Sequence, residues 1–473
     1  MNCFSFILII IIIYFCVKNF KNPKAMLFNF VTLTIVIETF IEMGYFIQIG
    51  NMKIAYKTIC EILVCFISII CLIKYPIKKN IFRIAIVCLC AILLGICNLI
   101  INPADVMTGN GNISWDDMIN GATFERINFN SFVIQEFMQF LFFVIGIVAI
   151  YSIFEKEDYK NFILVISKTI KIMFIVGIIE IIIKYIFNSS VYNDLCNAIF
   201  GISDATRLTL NKRGEGYILQ GLTKEASHYA YTLMISLIIL FANYKIVKKG
   251  LTWIIIGIAM MIMSMSFSSI LFLFYIIFVY TMYRLFRTRQ TDVREVKWIL
   301  LTFFIFIVGF VLIINASNLE NKLSDDGFWQ RRIKSAIQEI QLVVSGEWRY
   351  EDTSLEWSNR VRILSAYETI KLIKYRPLLG LGYASVTSHG STTMLLAGTG
   401  IIGTISWVIM VCFSNEKILD RVNKKYYILA IVLWLMINCL NSLGLRPFYE
   451  FTTIVLIVSL AQIFSYEKEE VIQ

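Results

Sequence analysis

Long apolar stretches, broken by short polar intervals, set the pattern of this chain. Runs near 4–17, 26–46, 54–73, 81–101, 131–153, 165–187, 226–243, 251–266, 268–283, 298–315, 391–413, 426–442 and 448–465 are rich in Ile, Leu, Val and Phe. Each approaches or exceeds the roughly 20 residues that a helix needs to cross a bilayer. Inside lipid every backbone N–H and C=O must be satisfied, and an open sheet edge fails that condition, so the runs predict helices. The runs at 251–266 and 268–283 meet at Phe267 and predict either a tight hairpin or one long broken helix. The expectation is an all-α polytopic membrane protein of about 12–13 transmembrane helices. Residues 1–473 read as a single integral membrane domain, with no repeat of fixed period and no Pro-rich or Gly/Ser-rich linker.

The polar intervals orient the chain. Lys18, Lys21, Lys24, Lys78, Lys79, Arg83, Lys248, Lys249, Arg284, Arg287 and Arg289 share one side when the N-terminus lies on the other. Short basic loops stay in the cytoplasm, so that side is predicted to be internal. Three segments then fall outside and are too long for simple turns: 102–130, a smaller loop at 188–225 and a large one at 316–390. The large loop is predicted to be partly helical. Ile333, Ile337, Ile340 and Val344 recur at helical spacing and end at Gly346. A second helix starts at Ser358, carries Ile363, Ala366, Tyr367, Ile370 and Ile373 on one face, and must stop near Pro377. Both are expected to lie along the outer leaflet, apolar face down.

Composition narrows the class further. At 58% hydrophobic and only 16% charged, the 473 residues fit neither a soluble enzyme nor a disordered chain. The surplus of 43 Lys and Arg over 33 Asp and Glu is accounted for by topology, so no nucleic-acid partner is expected. Of the eleven cysteines only Cys196 falls in an external segment, which argues against a disulfide framework. No Cys/His spacing suggests a metal site. The run at 4–17 lacks a basic leader and a small-residue cleavage site, and is expected to be a retained span.

Charge inside a span is costly and therefore informative. Glu38, Glu42, Glu61, Glu180 and Lys184 all lie in predicted spans, with Glu38 and Glu42 on one helix face and Lys184 one turn from Glu180. The two acids mark either an ion path or carboxylates paired with basic groups near the outer interface. The predicted external side carries Arg126, Arg207, Arg213, Arg331, Arg332, Arg349, Arg360, Arg362, Arg376 and Arg446. These are either solvated and ion-paired or ligands for a phosphate or diphosphate, whose oxygens match the planar guanidinium fork. The two histidines, His228 and His389, fall where external segments meet spans, and His389 is suited to take a proton from a sugar hydroxyl. Asp116-Asp117 and Asp325-Asp326 read as solvated turns. No Walker loop, His-Glu-x-x-His or Gly-x-Ser-x-Gly motif is present.

One set of residues resembles a known family. Ser358-Asn359-Arg360, then Tyr375-Arg376-Pro377-Leu-Leu-Gly380-Leu-Gly382, then His389, then Leu395-Leu396-Ala397-Gly398-Thr399-Gly400-Ile-Ile-Gly403 are similar in order and spacing to the O-antigen ligase and Wzy-type polysaccharide polymerase superfamily. Arg213-Gly-Glu-Gly and Gly221-Leu-Thr-Lys-Glu225-Ala-Ser-His228 resemble that family's smaller external loop. The chain departs from the pattern at Gly390, where the family often has Asn, and at Gly398, where it often has Glu. The resemblance implies a GT-C-like helical glycosyltransferase in a bacterial inner (plasma) membrane, active on the periplasmic or extracellular face. It would polymerise undecaprenyl-diphosphate-linked oligosaccharide repeat units by inverting, metal-independent transfer, without a cofactor. Its partners would be the lipid-linked oligosaccharide, the lipid bilayer and a chain-length-regulating membrane protein. By the same resemblance Arg360 and Arg213 contact diphosphate, Arg207 and Arg376 support them, His228 binds substrate, and His389 or Glu225 is the base. The alternatives are an O-antigen ligase that transfers glycan to lipid A-core, or a lipid-linked oligosaccharide flippase or transporter.

Overall fold

The computed structural model describes residues 2–42, 44–50, 52–104, 127–187, 189–201, 212–213, 216–223, 225–244, 247–264, 266–287, 345, 365, 367, 369–386, 388–413, 424–439 and 445–465. The run at 298–315, most of the 316–390 loop, the two acid pairs, Arg207 and Arg360 lie outside the described residues.

The chain is an all-α polytopic membrane protein. Among the described residues its main helices are α1 (Cys3–Asn19), α2 (Pro23–Phe40), α3 (Tyr56–Lys74), α4 (Lys79–Ile101), α5 (Ser131–Ile153), α6 (Lys156–Ile181), the short α7 (Val191–Phe200), α8 (Ala226–Ala242), α9 (Gly250–Met263), α10 (Phe267–Arg287), α11 (Ser391–Phe413), α12 (Lys424–Asn438) and α13 (Phe451–Ser465). Among the described residues six helical spans are long and apolar enough to cross a membrane, and six shorter apolar helices accompany them. These twelve coincide with twelve of the apolar runs. The ambiguous pair at 251–266 and 268–283 forms two helices parted at Ser264–Ser266, both packed on α8. Two small antiparallel hairpins, β1 (Ile47–Ile49) with β2 (Met52–Ile54) and β3 (Lys212–Arg213) with β4 (Gly216–Tyr217), are the strands among the described residues.

Side chains tie the loops into two faces. On the first face Asn2 donates to the carbonyls of Tyr45 and Phe200, and an Ala104–Ile127 bridge joins the ends of α4 and α5. On the second, Lys24 pairs with Asp158 at 2.8 Å, and Lys171 donates to the carbonyl of Lys248. Lys18, Lys21, Lys78, Lys79 and Lys249 are carried by loops and helix ends of that second face.

α11 is broken in its middle, where Gly400 takes φ 64° and ψ −172°. An intact helix would pair the N–H groups of Ile401 and Ile402 with the carbonyls of Ala397 and Gly398. Here those N–H groups donate to Pro377 and Leu378 (2.8 and 3.1 Å), and the carbonyls accept from Leu381 and Gly382 (both 2.9 Å). The turn from Pro377 to Gly382 therefore slots into the break and pairs these four backbone groups again. Non-helical backbone can sit beside transmembrane helices when protein buries it in this way. Glycine is required because backbone meets backbone: a Cβ on Gly380 would lie 2.4 Å from the carbonyl oxygen of Gly398, and one on Gly400 would lie 2.3 Å from that of Leu378. The turn also rests on the last two turns of α4, where a Cβ on Gly95 would be 3.0 Å from the oxygen of Leu379.

Replacing Gly380 by Ala should therefore cost more than the ~1–3 kcal/mol of a left-handed non-glycine residue, because the clash adds to the strain. Gly50 has a similar φ of +59° with nothing near its Cβ position, so Gly50→Ala should cost only the smaller amount. Thermal unfolding of the two variants in detergent checks the difference.

Candidate functional site

The first face holds a three-residue unit that brings distant parts of the chain together. Glu42 lies just past α2, with its N–H held by the carbonyl of Leu222 at 3.2 Å. One carboxylate oxygen meets His228 Nδ1 at 2.6 Å, and the other accepts from Arg446 Nη1 at 2.7 Å. Because the carboxylate accepts, Nδ1 donates, and in the neutral ring Nε2 then keeps the lone pair. This is how a carboxylate fixes an imidazole's tautomer and orientation in catalytic and metal sites. Burial opposes the charge on Arg446, but Glu42, Tyr449 and Glu450 outweigh that effect and raise its pKa above the ordinary arginine value.

Aromatic packing places Arg446. It opens a short 3₁₀ turn, Arg446–Phe448, whose Phe448 packs edge-on against Trp407 and Trp434. These two indoles stack at 5.1 Å, and Trp407 donates to the Phe448 carbonyl at 2.9 Å. On the other side of the site, a buried ion pair clamps the segment leading to His228. Glu180 accepts from Lys184 (2.6 Å) and from the N–H groups of Gln220 and Gly221 (3.1 and 2.8 Å), while Lys184 also donates to the carbonyl of Ile218 (2.9 Å). Lys184 belongs to a π-helical turn, Ile182–Ile186, that extends α6. Both charges in this pair are thus satisfied by each other and by loop backbone, which assigns the pair to holding residues 218–221.

His389 lies two residues before α11, at the same face. Its Nδ1 is 3.2 Å from the hydroxyl of Ser365, which also accepts from the His389 N–H at 3.1 Å. Gly390 sits against the carbonyl of Cys439, next to Asn438, whose side chain accepts from Tyr231 at 3.4 Å, one turn along α8 from His228. The two histidines therefore flank the same corner of the face. Glu225 is exposed beside them at the start of α8, where it accepts from Ser227 at 3.1 Å. Arg376 leads into the interlocked turn; its guanidinium lies 5.9 Å from the Tyr375 ring, and its buried Nη1 has no hydrogen-bond acceptor. Arg213 lies on the β3–β4 hairpin that precedes the clamped segment.

In the sequence Glu42, Arg446 and His228 are three separate candidates, with nothing in the pattern to join them. The signal was present in part, since a carboxylate at the outer end of a span requires a cation. Ser365, by contrast, carried no signal. Glu38, Glu42, His228, Arg446, Glu450 and Thr452 line a cavity of about 30 Å³, room for about two waters. A cavity of this size admits water and no larger solute. In comparison with known proteins, the chain matches no family model and no curated protein.

Glu42→Ala should destabilise the protein by about 1–3 kcal/mol, because it leaves the partly buried Arg446 without its acceptor. Adding Arg446→Met to that variant should recover part of the loss in thermal unfolding.

Proposed function

We propose that the protein is a glycosyltransferase of the extracytoplasmic membrane face, joining oligosaccharide repeat units carried on undecaprenyl diphosphate. The observation that supports this most is the convergence at one corner of His228, oriented by Glu42, with Arg446, His389 and Glu225 nearby. In this reading the first face is the outer one, the fold is GT-C-like, and the membrane is a bacterial inner membrane.

The reaction needs a base for the attacking hydroxyl and positive charge for the leaving group. A hydroxyl of one repeat unit attacks the anomeric carbon of the glycan on another lipid, the bond from that carbon to the diphosphate oxygen breaks, and the configuration inverts. The hydroxyl proton passes to a histidine nitrogen. His228 Nε2 is the better placed because Glu42 holds the ring and stabilises the imidazolium that forms. His389, held by Ser365, orients the acceptor, and Glu225 lies at the rim. Undecaprenyl diphosphate departs with its charge met by Arg376, Arg213, Arg207 and Arg360; Arg376 already has a guanidinium nitrogen without an acceptor.

Purified protein in lipid nanodiscs, given lipid-linked repeat units without nucleotide, should produce a ladder of extended glycans on a gel. Arg360→Ala and His228→Ala should each slow extension by about 10²-fold or more while the protein stays folded. If wild-type protein yields no extended product, or both variants extend normally, the assignment is wrong.

A further inference from the structure

The floor of the cavity opens onto a layer of charge that the proposed reaction does not use. Glu38 near the end of α2, Glu61 in α3, Glu136 in α5 and Glu450 just before α13 converge there with Lys57 of α3. The positions of Glu61 and Glu136, each five residues past the first residue of its helix, put this layer roughly 7–8 Å below the helix starts. Lys57 lies 3.4 Å from Glu450 and 4.0 Å from Glu61, with its ammonium 4.9 Å from the ring centre of Tyr449. Glu38 accepts from the N–H and hydroxyl of Thr452, both at 3.1 Å. The groups facing Glu61 are thus Glu38 from α2, Lys57 and Cys60 from its own helix, Glu136 from α5, and Arg446, Tyr449 and Glu450 from the turn before α13.

Two observations make this layer more than a group of acids. Glu61 is 2% exposed, and both of its carboxylate oxygens lack a hydrogen-bond donor, as does the inner oxygen of Glu38. Second, the charges do not balance among the described residues. With Glu42 there are five carboxylates, and Lys57, Arg446 and a protonated His228 supply at most three positive charges. Two buried anions without partners at membrane depth would cost several kcal/mol each even after the protein relaxes. No other described side chain answers this charge, and a small cation bound in the layer would. Among the described residues no three His, Cys, Asp or Glu side chains are arranged to hold a metal ion, and the adjoining space admits only about two waters.

We propose that this layer is a proton-binding site, in which Glu61 and Glu38 each carry an exchangeable proton at neutral pH and exchange it through the cavity beneath His228 and Arg446. A neutral Glu61 has no charge to be answered, and Glu38 can accept from Thr452 on one oxygen while its other oxygen bears the proton. The inference does not depend on glycosyl transfer, because it concerns the protein without substrate.

Infrared spectroscopy of the full-length protein in nanodiscs at neutral pH tests it directly. The carbonyl stretch of protonated carboxylic acids should be present, shift in D₂O, and lose about half its area in Glu61→Gln. Replacing choline with sodium in the buffer should leave the band unchanged. Glu61→Gln, an isostere of the protonated acid, should also melt close to wild type, whereas Glu61→Lys should not. A wild-type spectrum without the band overturns the proposal, whether or not any variant folds. So does an unaltered band in a folded Glu61→Gln variant, or a band that sodium abolishes, which would make the site a metal-cation site.

Discussion

A carboxylate at the lip of a lipid-embedded bundle persists only if its charge is answered, and Glu42 has both oxygens answered by residues far away in sequence. His228 lies in the first turn of α8, Arg446 precedes α13, and Glu42 follows α2, so one side chain fastens three parts of the bundle at a single corner. Other contacts serve that junction. The Trp407–Trp434–Phe448 stack fixes the turn that presents Arg446, and the Glu180–Lys184 pair fixes the loop that leads into His228. Removing one member of the triad leaves a polar group in a low-dielectric setting, so the site and the helix packing stand or fall together.

The Gly-rich motifs have a different explanation. Pro377 to Gly382 and Ala397 to Ile402 are interleaved backbones, exchanging four hydrogen bonds with no side chain between them. Packing alone accounts for these glycines. Their consequence for function is indirect, since the interlock fixes Arg376 at one end of the turn and leads the chain back to His389 at the other. In the proposed reaction, chemistry therefore rests on the histidines, Glu42 and the arginines.

Much of the bundle was legible because spans announce themselves by continuous apolar length, and twelve of the runs have a matching helix. The pairing of Glu42 was not legible, because its partners lie 186 and 404 residues away and a hydropathy pattern carries no information about which helices touch. The break in α11 was hidden for a related reason: residues 391–413 read as one apolar run, and the backbone that opens it comes from another segment. In the helical stretch before Pro377, the periodicity marked Ile370 and Ile373 as the apolar face. The residues buried against the bundle are Ser365, Thr369 and Leu372, while Ile370 is 48% exposed, which leaves that apolar face open to lipid. Inside a membrane the apolar face of a helix can turn to lipid and its small polar face to protein, the reverse of the rule for soluble helices.

The account requires that the face carrying His228 and Arg446 open to the outside of the cell. Single cysteines at Gln48, on the β1–β2 hairpin of that face, and at Lys248, on the opposite face, test this in a background with the exposed native cysteines replaced by serine. A membrane-impermeant maleimide applied to intact cells should label the Gln48→Cys protein, and should reach the Lys248→Cys protein only after permeabilisation. The opposite pattern would place the histidine corner in the cytoplasm and contradict the account.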